Sequence, residues 1–154
     1  MVNAICILKG DEGVTGVVRF KQESAESKIL ISAEFNGLPE GKHGFHIHEF
    51  GDNTNGCLST GGHFNPLGVN HGDRTAAVRH VGDMGNVVSQ GAEQVTKVEF
   101  EDHLITLFGP LSAIGRTVVI HGGEDDLGLG GNAGSLANGN AGSRSACGVI
   151  GITN

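Results

Sequence analysis

The stretch VTKVEFE, residues 95–101, places Thr96, Val98 and Phe100 on one side of an extended chain and Lys97, Glu99 and Glu101 on the other. Alternation of this kind, carried by branched and aromatic residues, marks a half-buried strand. KILISAEFN (28–36) shows the same pattern in part. Outward from these two segments, short runs of similar character recur between turn-forming residues. They predict strands near 2–9, 14–20, 28–36, 42–49, 83–89, 94–101, 104–108, 116–121 and 145–152. No segment carries a long helical stripe. Short antiparallel strands at this spacing predict an all-β sandwich or barrel.

At 154 residues the expectation is one domain spanning 1–154. The 27 glycines, with three prolines, no Trp and no Tyr, predict many turns and long irregular loops. A formal net charge of -7, with no run of Lys or Arg, excludes nucleic acid and anionic membrane surfaces as expected partners. No apolar run approaches the length of a membrane span. The opening MVNAICILKGDEG reads as a strand and turn rather than a signal peptide, so the expected compartment is the cytoplasm. In that compartment Cys6, Cys57 and Cys147 would ordinarily stay reduced.

Two segments, about 50–82 and 122–144, resist strand assignment. Loops of that length in a compact domain are usually functional, and their ordering entropy calls for a tie such as a metal, a disulfide or a packed lid. The glycine-rich run LGLGGNAG (127–134) does not read as a phosphate cradle, because no strand leads directly into it and no helix pattern follows.

Within GFHIHEFGDNTNGC (44–57), His46 and His48 are two apart on an expected strand, so they share a face, with Cα atoms roughly 6.5–7 Å apart. Alone, the pair fits either structural imidazoles or metal ligands. His63, His71 and His80 follow in one loop, and Asp83 lies three residues after His80. Three imidazoles and a carboxylate suit tetrahedral zinc without any sulfur. His121 ends the apolar run RTVVIH, where it can join the His46/His48 face. A donor set this rich in imidazole suits copper and zinc, not calcium or magnesium. His43 has an odd offset from that face and reads as structural. His103, after Asp102 in a turn, reads as solvated.

GFHIHEFGDNT (44–54) and GNAGSRSACGVI (139–150), with GGHFNP (61–66), RHVGD (79–83), GRTVV (115–119) and EDDLG (124–128), make the chain resemble eukaryotic cytosolic-type copper/zinc superoxide dismutases over essentially its whole length. The resemblance implies an immunoglobulin-like Greek-key sandwich or barrel of about eight antiparallel strands with two long functional loops. It implies copper on His46, His48, His63 and His121, and zinc on His63, His71, His80 and Asp83, with His63 shared. Asp125 would link His46 to His71, and Arg144 would draw the anion towards copper. Cys57 and Cys147 would form a disulfide, leaving Cys6 a buried free thiol. The implied activity is dismutation of superoxide to dioxygen and hydrogen peroxide by alternating reduction and oxidation of copper, with zinc structuring the site. The implied partners are a second copy, meeting through Phe50-Gly51, Ile114-Gly115 and Val149 to Ile152, and a copper-delivery protein.

The other reading is a non-catalytic copper/zinc-binding or copper-delivery module. Such modules tend to lose a copper ligand or the channel arginine, and this chain keeps both. It departs from the family elsewhere. Val69, Gly122, Gly123, Ala133, Gly134 and Ala137 stand where charged channel residues are common, so Arg144 is expected to steer almost alone. Asp73-Arg74 replaces a more usual small residue and proline, which predicts a looser loop.

Overall fold

The computed structural model describes all 154 residues. Eight strands form one antiparallel sheet: β1 (Val2–Lys9), β2 (Thr15–Gln22), β3 (Ile29–Asn36), β4 (Gly41–His48), β5 (Asp83–Ser89), β6 (Thr96–Asp102), β7 (Thr117–His121) and β8 (Arg144–Thr153). Their order is β5-β4-β7-β8-β1-β2-β3-β6, and the two edge strands approach each other to leave a nearly closed barrel. After β6 the chain crosses to place β7 between β4 and β8, the long return of a Greek key.

Alternation builds the interior. On β3, Ile29, Ile31, Ala33 and Phe35 point inward while Leu30, Glu34 and Asn36 face solvent. Ala4, Cys6 and Leu8 on β1 and Val18 and Phe20 on β2 join them in a single core of 24 buried residues. Phe35 and Phe45 meet edge to face with centroids 5.5 Å apart. Full burial of side chains this large contributes about 1.5–3 kcal/mol each.

The expected strand at 104–108 is absent. Ile105 and Leu107 are buried in alternation, which is the pattern the sequence displays, but their backbone N–H groups pair with side chains instead of a neighbouring strand. Asp102 accepts from the N–H of Leu104 and Ile105, and Gln22 Oε1 accepts from the N–H of Leu107.

The site is positioned by β4, β7 and the two long loops. On β4 every residue from His43 to His48 is buried, because Phe45 and Ile47 face the barrel core while His46 and His48 lie under the loops. Register shifts interrupt the ladders at Gly44/His46 and at Ile120/His121. Bulges of this kind re-aim the side chains beside them. The first loop contains a 3-10 turn, Gly56–Thr60, which a disulfide from Cys57 to Cys147 ties to β8 across 90 residues. Cys6 is the buried free thiol.

The second loop contains a helix that the sequence reading did not anticipate, α1 (Ala133–Asn138). At six residues it is too short to show a stripe. Its signals are the ends: the Asn132 side chain accepts from Ser135 N–H, and Gly139 closes it at φ 76°.

Candidate metal centre

Three ring nitrogens, Nδ1 of His46, Nε2 of His63 and Nδ1 of His71, are buried without a hydrogen-bond partner. Such atoms are rare and call for an explanation. The neighbouring donors supply one.

Oδ1 of Asp83 lies 3.0 Å from His63 Nδ1, 2.9 Å from His71 Nδ1 and 3.4 Å from His80 Nδ1. His63 Nδ1 and His80 Nδ1 are 3.1 Å apart. Four donors on a tetrahedral ion with bonds of about 2.0–2.1 Å would be separated by roughly 3.3–3.4 Å, close to this spacing. The His71 and Asp83 atoms are near but not aligned as a hydrogen bond, as suits two ligands of one ion. The other oxygen, Asp83 Oδ2, accepts from the N–H groups of His80 and Gly72, which turns Oδ1 towards the rings.

A second cluster comprises His46, His48, His63 and His121, with one ligand atom from each within 4.8 Å of the others. Partners of the opposite ring nitrogens identify the free atom on each. His48 Nδ1 pairs with Gly61 O at 2.9 Å and His121 Nδ1 with Gly142 O at 3.3 Å, leaving two Nε2 atoms 3.3 Å apart. His46 Nε2 pairs with Asp125 Oδ2 at 2.7 Å, leaving Nδ1. His63 presents Nδ1 to the Asp83 set and Nε2 to this one.

His46 also falls within reach of His63, His71 and Asp83 as a compact group. Its Nε2 is already held by Asp125, and His80 is the ring that contacts both His63 and Asp83. His80 therefore completes the carboxylate-containing set.

Asp125 joins the clusters. It is fully buried, and its two oxygens accept from His46 and His71 at 2.7 Å each. Its backbone is clamped by Asn86, which donates to Asp125 O and accepts from Asp125 N–H, each at 2.8 Å. Carboxylates placed behind ligand rings fix tautomer and direction. Gly139 leaves the necessary room, because a Cβ there would collide with the Asp125 carboxylate and the His71 ring.

Burial and the neighbouring His63 push His46 down to about 3 and His48 to about 2, and burial lowers His121 to about 4. These rings are neutral at pH 7 and offer lone pairs. Burial alone would also lower His71, but Asp125 and Asp83 outweigh it and hold it at about 9. Burial opposes ionisation of Asp83 and Asp125 too, yet their histidine partners keep both well below the ordinary carboxylate range.

The four-histidine cluster opens to a cleft of about 580 Å³ lined by His48, His63, His121, Asn138, Asn140 and Arg144, together with Gly and Ala residues. Arg144 is the one Lys, Arg, Asp or Glu side chain on that lining. A larger cleft, about 830 Å³, runs beside the disulfide and has no comparable donor set.

The family model for copper/zinc superoxide dismutase matches residues 14–150. The chain belongs to the copper/zinc superoxide dismutase family. It is 57% identical to the "Superoxide dismutase [Cu-Zn]" of Saccharomyces cerevisiae over 155 residues, covering all of both chains. It is 56% identical to that of Neurospora crassa and 57% identical to that of Schizosaccharomyces pombe, covering 99% of each pair. The two donor clusters fit the one copper and one zinc of this dismutase family.

Every expected ligand lies at the centre. His43 is buried apart from it, its two ring nitrogens facing His121 O and Pro39 O, and His103 is exposed. At Asp73-Arg74, where a looser loop was expected, the structure shows three contacts. Asp73 accepts from Arg74 N–H, Arg74 stacks on Phe100 at 4.1 Å, and Arg79 binds Arg74 O. Sequence reading missed Arg79, which is buried, ion-paired with Asp102 and bonded to the carbonyls of His80 and Val81.

Proposed function

We propose that this chain is a single copper/zinc dismutase domain, 1–154, that converts two superoxide anions and two protons into dioxygen and hydrogen peroxide. The observation that carries the reading is the His63 ring, with Nδ1 among the Asp83 donors and an unpartnered Nε2 among His46, His48 and His121. His46, His48, His63 and His121 would hold copper, and His63, His71, His80 and Asp83 would hold zinc. Copper held there would supply one-electron oxidation and reduction of superoxide in turn, and zinc, which has no redox chemistry in proteins, would have a structural role beside the His63 ring.

The protein supplies the rest. His63 Nε2 is the atom at which a proton can be held and passed to the reduced product, a general-acid role. Asp83 and His80 keep the opposite edge of that ring in place while it does so. Arg144 attracts the anion into the cleft, where a positive charge counters an acidic protein. All four histidines and this arginine are present together, so the non-catalytic reading gains no support.

We also propose a homodimer. Supporting it, Phe50 and Ile152 are exposed, and the segments at Gly51, Gly115 and Val149 lie against one another. A copper-delivery protein is a proposed partner, since the donor set is buried. The cytoplasm is the proposed compartment, with the Cys57–Cys147 disulfide an exception to the reduced thiols usual there; no helix is long and apolar enough to cross a membrane. Sedimentation at low concentration and cell fractionation test these points.

The activity is tested by loading the protein with one copper and one zinc per chain and following superoxide decay. Catalytic decay in the doubly loaded protein, absent with zinc alone, is expected. Full copper occupancy without catalysis would overturn the reading.

A further inference from the structure

Thr60 closes the 3-10 turn and is completely buried. Its hydroxyl donates to Cys57 O at 2.7 Å and accepts from Arg144 Nη1 at 3.0 Å. The same Nη1 donates to Cys57 O at 2.7 Å. Three groups thus close a ring of hydrogen bonds. With its proton committed to Cys57 O, the hydroxyl presents lone pairs to the guanidinium, which has only donors to offer. The Thr60 carbonyl accepts from Phe50 N–H, so the backbone beneath is fixed as well.

We propose that Thr60 is a positioning residue for Arg144, and thereby for capture of the anionic substrate; this rests on the role assigned to Arg144 above. One acceptor would leave the guanidinium free to rotate about a single bond. Two acceptors on one nitrogen restrict that rotation. Nη1 makes both bonds, while Nε and Nη2 bond to no protein group, and Arg144 lines the cleft beside His48, His63 and His121. A planar pair of free donors held in one orientation suits a small anion better than a mobile one. Orientation matters here because the cleft lining holds no second cation to compensate for a misplaced Arg144.

The test uses copper- and zinc-loaded protein and two readouts, the superoxide rate constant and azide affinity measured from the copper visible band. Thr60→Val keeps the side-chain shape and removes the hydroxyl; Thr60→Ala removes it without adding bulk. Loss of a hydrogen bond to a charged group predicts a drop of about fivefold or more in both readouts, at unchanged metal content. Thr60→Ser restores both. Equal rates and azide affinities in wild type, Thr60→Val and Thr60→Ala would overturn the proposal. Arg144→Ala separates the two layers. If it lowers both readouts while the Thr60 variants do not, only the Thr60 proposal fails. If it changes neither, the assignment of Arg144 fails first.

Discussion

His63 Nδ1 and Asp83 Oδ1 lie 3.0 Å apart in a pocket that admits almost no solvent. That contact divides the His63 ring between two donor sets. Removing the carboxylate should therefore act unequally on the two metals. Asp83→Ala is expected to lower zinc affinity by at least about 10–100-fold while copper, held by His46, His48 and His121, is largely retained. Competition with chelators for each metal measures this. Equal loss of both metals would contradict the shared-ring geometry.

Asp125 and Gly139 act on a different pair of contacts, those of the Asp125 carboxylate with His46 and His71. Asp125→Ala frees His46 and His71 and should weaken both sites, each by about 10–100-fold. Gly139→Ala should reproduce that phenotype without touching a donor atom, because its added carbon displaces the Asp125 carboxylate and demands an unfavourable left-handed backbone. Metal titration of both variants checks it. Wild-type affinity in Gly139→Ala would show that the cradle is roomier than the structure indicates.

The metal-free protein should have a stability maximum near pH 7, where the proton uptake of folded and unfolded chains balances. As pH falls below the ordinary histidine value of 6.5, the unfolded chain takes up protons that folded His46, His48 and His121, held near 3, 2 and 4, refuse. Each costs up to about 1.4 kcal/mol per pH unit over that window. His71 has the opposite sign. Raised to about 9, it contributes stability that is complete below 6.5 and lost as pH rises through 9. Urea midpoints across pH 4–10 should fall more steeply on the acid side. A flat profile between pH 4 and 6 would contradict it.

Closing 90 residues, the Cys57–Cys147 disulfide should stabilise the fold by up to about 4.6 kcal/mol in the chain-entropy model. The double variant Cys57→Ser, Cys147→Ser should lose stability on that scale and also lower the superoxide rate, since Cys57 O anchors Arg144. Denaturant unfolding and activity are measured together. A lost disulfide with an unchanged rate would separate Arg144 from this anchor.

The histidine clusters were the most legible feature of the chain. His46 and His48 announce themselves because a two-residue step on a strand puts both rings on one face, and His71 and His80, in the loop before Asp83, because residues of those types have few other uses together. The strands were legible wherever the inward face alternates, as on β3. Residues 104–108 show where the pattern misleads: Ile105 and Leu107 are buried in alternation, but Asp102 and Gln22 take the backbone donors that a strand would use. Arg79 and Thr60 were hidden for a related reason. Their partners are backbone carbonyls and side chains distant in sequence, and no local periodicity encodes such contacts.

A cleft whose one charged side chain is Arg144, together with the paired clusters, implies that two metals and a single oriented cation suffice for fast catalysis. The second-order rate constant for superoxide loss per bound copper, on protein loaded with both metals and followed across ionic strength, tests it most directly. The expected value approaches the diffusional ceiling of about 10⁸–10⁹ M⁻¹s⁻¹ that superoxide dismutases are known to reach, with only a shallow decline as salt screens Arg144. A rate no better than a simple copper chelate at full occupancy would contradict it.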